Sequence, residues 1–182
     1  MLYLASASPR RRELLESLDV EFETLKVEVE EIWNGSESPV EYVSRVTLEK
    51  ARAGKVCAPK PGPVLAADTE VILDDTILGK PENTQHAMAM LASLSARTHS
   101  VISAVALIKD SEELLLSINR VSFREISEEE IRRYCESGEP LDKAGAYGIQ
   151  GRAANFIACL EGSYSSVMGL PLQETATLIK SI

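Results

Sequence analysis

A short apolar run, Leu2-Tyr3-Leu4-Ala5, stops at small hydroxyl residues, and Ser8 followed by Pro9 supplies an N-cap and a first helical position. A strand that hands over to a helix so abruptly commits the start of the chain to a strand–helix unit. The helix, expected over 9–18, buries Leu14, Leu15 and Leu18. Counting back three, four and seven residues from these places Arg11 on the same stripe. A core-facing arginine in a first helical turn is costly unless something anionic meets it. Helix N-termini also leave N–H groups that favour phosphate. Arg11 either receives an anionic ligand, or it snorkels to solvent or pairs with a carboxylate of the chain.

The rest of the chain continues the alternation. A strand near 22–27 is followed by a polar segment, and Ser38-Pro39 repeats the cap-and-proline start for a helix over about 39–57. Val64 to Ala67 is a small apolar strand that stops at Asp68. Residues 71–73 and 76–78 read as hairpin arms around Asp74-Asp75. A helix over 84–94 precedes long strands near 98–108 and 114–125, and Ser127 with Glu130 forms a capping box for a helix to about 136. The Gly- and Ala-rich stretch 143–162 reads as irregular strand, and a helix near 171–180 closes the chain. Helices interspersed with adjacent strands predict an α/β fold with a mixed sheet. No repeat or long linker divides residues 1–182, so a single domain is expected.

Charge and cysteine usage exclude some functions. A net charge of −9 argues against nucleic acid or an anionic membrane as partner, yet leaves room for a small anion that brings a metal. Cys57, Cys135 and Cys159 stand far apart, which fits reduced thiols and a cytoplasmic location. No stretch reaches transmembrane length.

Polar residues converge in the pattern. Lys50 shares the helical face of Val43, Val46, Ala51 and Gly54, where it either snorkels or meets an anion. If Asp74-Asp75 is a two-residue loop, Leu73 opposes Thr76, Val71 opposes Leu78, and Thr69 opposes Lys80. Lys80 then returns beside Asp68, as an active-site pair or as a plain cross-strand ion pair. Asp68 ends an apolar strand, the usual place for working residues in α/β folds, where it could bind a metal or take a proton from water. Glu30-Glu31 either shares that metal or forms a solvated acidic loop. In the segment from Asp142 to Gly151, Lys143, Tyr147 and Gln150 offer a charge, a ring and an amide. That segment fits a base-reading loop or a tight turn with ordinary core packing. His86 and His99 have no ligand-motif context. A serine-hydrolase elbow and a P-loop are both absent from the sequence.

Ser6-Ala7-Ser8-Pro9-Arg10-Arg11, Glu49-Lys50-Ala51, Ala67-Asp68-Thr69, Gly79-Lys80-Pro81 and the run from Asp142 to Gly151 occur in this order. Together they closely resemble the Maf family of nucleoside triphosphate pyrophosphatases, and the Ala-Tyr-Gly-Ile-Gln-Gly version is similar to the dTTP/UTP branch. The resemblance implies an elongated mixed sheet flanked by helices around a deep central cleft, like inosine triphosphate pyrophosphatases. It implies cleavage between the α- and β-phosphates with a divalent cation (Mg, Mn or Co), and a homodimer. Carried over by position, Ser8, Arg10, Arg11, Lys50, Lys80 and Gln150 would bind substrate. Glu31 and Asp68 would hold metal, while Asp68, Lys50, Lys80 and Arg11 would carry the catalysis, with Asp68 as base. Alternatives are a general pyrophosphatase for noncanonical nucleotides and a nucleotide-binding regulator of cell division.

Overall fold

The computed structural model describes residues 1–180 and 182. In chain order the elements are β1 (Leu2–Ala5), α1 (Pro9–Glu16), β2 (Phe22–Leu25), α2 (Pro39–Cys57), β3 (Val64–Leu73), β4 (Thr76–Leu78) and α3 (Thr84–Leu94). They continue with β5 (Thr98–Ile108), β6 (Glu112–Phe123), α4 (Glu128–Glu136), β7 (Ile157–Glu161), α5 (Tyr164–Met168) and α6 (Leu172–Ile179). The strands form one seven-stranded sheet in the order β2-β1-β3-β5-β6-β7, with β4 paired to β3. β1 is parallel to β2 and β3, whereas β3–β4 and β6–β7 are antiparallel, so the sheet is mixed as expected. Among the described residues no helix is long and apolar enough to cross a membrane.

Two compact units share the chain: Met1–Thr69 with Ser103–Ser117 and Ser165–Ile182, and Glu70–Ile102 with Ile118–Tyr164. In the first, β1 and the start of β3 are buried on both faces, as parallel strands covered by helices must be. Leu2, Leu4, Leu65 and Ala67 pack on one face with Leu14 and Leu15 of α1, Leu178 of α6 and Leu170 of the link between α5 and α6. Tyr3, Ala5, Val64 and Ala66 point the other way and pack with Ala51 of α2. Gly54 lets α2 lie close to the sheet, because a Cβ there would stand 2.7 Å from Val64 Cγ1 and 2.8 Å from Ala5 Cβ. Ser8 and Ser38 cap α1 and α2 as expected, each accepting the N–H three residues on.

In the second unit the hairpin register is the expected one for Leu73 with Thr76 and Val71 with Leu78. Asp74 and Asp75 both take positive φ, 50° and 61°, the backbone a two-residue hairpin turn requires. An aromatic cluster forms the centre of this unit. His99, Phe123, Tyr147, Phe156 and Tyr134 meet edge to face, with ring centres 4.8–6.3 Å apart.

Two expectations need correction. Val64–Leu73 is one continuous strand, and Asp68 lies inside it instead of at its end. The stretch read as irregular strand from 143 is a series of 3-10 turns until β7 begins at Ile157. Gly145 (φ 63°) and Ala146 (φ 61°) are left-handed there, which breaks a strand. The closing helix is the expected one, Leu172–Ile179, and a separate short α5 precedes it with Gly169 at φ 131° between the two.

His99 gives this second core a pH dependence. Its Nε2 lies 2.8 Å from Tyr147 Oη, and burial holds the imidazole down at about 4. The unfolded chain therefore takes up a proton, near the ordinary value of about 6.5, that the folded chain refuses. Stability is full above pH 6.5 and falls as pH drops toward 4, by roughly 2 kcal/mol between pH 6.5 and 5. Urea melts across this range should show the decline in the native chain and a flatter profile in His99→Phe. Equal slopes in both would contradict the assignment.

Candidate active site

The register of β3 against β1 sets the site. Tyr3 pairs with Val64 and Leu4 with Leu65, so β1 ends opposite Ala66 and Asp68 projects beyond it. Asp68 shares the strand parity of Val64 and Ala66, whose side chains face α2. Lys50, one residue before Ala51 on α2, meets it: Nζ donates to Asp68 Oδ1 at 2.8 Å. Beyond the end of β1 the chain has already turned into α1, and Arg11 reaches over that edge. Its Nη2 donates to the same Oδ1 at 3.3 Å, while Nε donates to the Gly169 carbonyl at 2.9 Å. Both cations are nearly removed from solvent, with side chains 13% and 10% exposed, and Asp68 is 6% exposed.

Lys50 is shared. Glu31, in the irregular segment between β2 and α2, places Oε1 at 2.8 Å from Nζ. Two carboxylates thus converge on one ammonium, with Glu31 the solvent-facing member at 38% exposure. Asp68 Oδ2 is buried and has no hydrogen-bond partner. A buried carboxylate oxygen left unpaired is costly, and at a working site it marks where a ligand or a proton is to be received.

Thr69 is held beside Asp68 by a buried relay. Ser103 Oγ donates to the Ser166 carbonyl at 2.7 Å, so the 2.7 Å contact between Thr69 Oγ1 and Ser103 Oγ is donated by Thr69. The Gly169 carbonyl, Ser103 and Ser166 escaped the reading of the sequence as site components.

The remaining expected residues are placed as follows. Ser8 caps α1, its Oγ accepting from Arg11 N at 3.5 Å, and Arg10 is half-buried in the first turn. Glu30 is exposed, the solvated reading. Lys80 and Gln150 lie in the second unit, both exposed. β4 ends at Leu78, so the expected pairing of Thr69 with Lys80 lies beyond the ladder. The Gly145 N–H donates to the Gly79 carbonyl at 3.1 Å, which ties the 143–151 segment to the residue before Lys80. Lys143 is spent locally on the Glu139 carbonyl and Asp142, and Tyr147 is a core ring and not a free stacking surface. Gln150 keeps the exposed amide. His86 stands at the start of α3, where its N–H is taken by the Asn83 cap.

The profile of Maf-like proteins matches residues 1–182, the whole chain. The chain belongs to the Maf family. Relatives called dTTP/UTP pyrophosphatase are 54% identical in Methylococcus capsulatus, over 100% of this chain and 90% of that one, and 53% identical in Photorhabdus laumondii, over 98% and 92%. A third, from Alkalilimnicola ehrlichii, is 51% identical over 98% of this chain and 91% of its own. The Maf chain also shares its fold with a crystal structure of a nucleoside-triphosphatase / dITP/XTP pyrophosphatase from Mycobacterium abscessus. That match has a TM-score of 0.51 and 19% identity, over 98% of this chain and 93% of that one.

Proposed function

We propose that this Maf protein hydrolyses dTTP and UTP between the α- and β-phosphates, releasing the nucleoside monophosphate and pyrophosphate. The observation that carries the reading is Asp68, whose Oδ1 is gripped by Lys50 and Arg11 while its Oδ2 faces no partner. Phosphoanhydride hydrolysis requires neutralised phosphate charge and a placed water, and no covalent nucleophile. Arg11 and Lys50 supply the charge, and Asp68 Oδ2 is the acceptor for the water's proton as its oxygen attacks phosphorus and pyrophosphate leaves. The names of the relatives support dTTP and UTP as substrates. Gln150, exposed at the end of the 143–151 segment, is the amide we assign to reading the pyrimidine.

The donor set fits a divalent cation. Glu31 and Asp68 are hard oxygen donors on one ammonium, and no group of three or more His, Cys, Asp or Glu suited to a metal occurs among the described residues. A Mg-type site uses one or two carboxylates and takes its other ligands from substrate phosphate and water. Glu31 and Asp68 would hold the ion, and its chemistry there is Lewis-acid neutralisation of phosphate charge.

Pyrophosphate release from dTTP, UTP, CTP, GTP and 7-methyl-GTP, each with Mg or Mn, tests the proposal. Turnover confined to dTTP and UTP is expected. A preference for 7-methyl-GTP would overturn the role of the Gln150 segment, and tight nucleotide binding without turnover would replace the enzyme by a regulator.

A further inference from the structure

Arg45 lies on α2 ahead of Lys50, and its guanidinium is committed to the segment that carries Glu31. Nε and Nη2 donate to the two Glu37 carboxylate oxygens at 3.1 and 2.6 Å, a two-point fork. The same Nη2 donates to the carbonyl of Ile32, the residue after Glu31, at 3.2 Å. Nη1 lies 3.3 Å from both oxygens of Glu49 on the helix, which holds the guanidinium from behind. Trp33 adds a second tie, donating from Nε1 to the Glu37 carbonyl at 3.0 Å.

Residues 26–38 form neither helix nor strand, and the space between Arg45 and this segment is a hollow of about 350 Å³. Side-chain packing does not fix the segment there, so polar ties must. A lysine at position 45 would keep the charge and lose the fork.

We propose that Arg45 is a positioning residue. By fixing Ile32 and Glu37 it sets where Glu31 stands against Lys50 and Asp68, and so how tightly the two carboxylates take a divalent cation. The inference rests on the metal-assisted reading above and deepens it.

The test uses Arg45→Lys and Glu37→Gln in the full chain. Trp33 is the chain's single tryptophan and reports on the segment directly. Both variants are expected to keep the native far-UV spectrum while Trp33 becomes more accessible to acrylamide quenching. Mn²⁺ binding, read by electron paramagnetic resonance of the free ion with non-hydrolysable α,β-imido-dTTP present, should weaken roughly tenfold. Saturating Mn²⁺ should restore kcat. Unchanged Mn²⁺ binding in both variants overturns the proposal, as does a loss of kcat that saturating Mn²⁺ leaves in place. If Arg45→Lys fails to fold, Glu37→Gln decides alone. A native chain that binds Mn²⁺ yet turns over no nucleotide removes the functional reading, and the quenching and binding data still judge the tie.

Discussion

Asp68→Asn is expected to lower kcat for dTTP about a thousandfold while nucleotide affinity holds or improves. Asparagine keeps an oxygen where Oδ1 accepts from Lys50 and Arg11, so the local geometry survives. It removes the buried, unpartnered Oδ2 that can accept a proton from water. It also removes a negative charge from beside the expected triphosphate, leaving two cations to hold it, which is why binding should not suffer. Stopped turnover with isothermal titration of α,β-imido-dTTP separates the two effects. A kcat within tenfold of the native value would take the base role from Asp68, and a matching loss of affinity would make it a binding residue.

Lys50→Met should damage both folding and chemistry. The ammonium is buried against Asp68 and also faces Glu31, and its removal leaves an acidic group short of a partner inside the first unit. Breaking a buried pair from one side costs about 3–5 kcal/mol, and the surviving Arg11 contact brings the expected loss to about 2–3 kcal/mol. For a chain of this size that is a Tm lower by roughly 5–10 °C. Loss of a preorganised cation at developing phosphate charge should cost a further factor of roughly 100–1,000 in kcat. Thermal melts and initial rates read the two separately. Adding Asp68→Asn to Lys50→Met should recover part of the lost stability, because the unpaired charge goes with it. Strictly additive losses would mean that the two side chains are not energetically coupled.

Local periodicity made half of this site legible. Lys50 on the apolar face of α2 and Asp68 in an apolar strand were both anomalies of pattern, and strand parity brings them together. Arg11 was legible as a buried cation, and its partner in the structure is the chain's own Asp68, the carboxylate reading. The Gly169 carbonyl lies 158 residues from Arg11 in sequence, and no local pattern encodes such a pairing. Glu31 sits in a segment without periodicity, so the residues alone left it open between a metal ligand and a solvated loop, and family resemblance chose between them. Arg45 was hidden for a related reason: a charged residue off the apolar stripe looks like any solvated one until its partners are seen. The turns before β7 defeated the pattern because Ala146, unlike glycine, announces no left-handed backbone.

On this reading the site splits a nucleoside triphosphate between its α- and β-phosphates. Phosphorus NMR of dTTP incubated with the protein and Mg²⁺ tests it directly. The three triphosphate resonances are expected to decay together into those of dTMP and pyrophosphate. Formation of dTDP and inorganic phosphate, or persistence of dTTP, would contradict it.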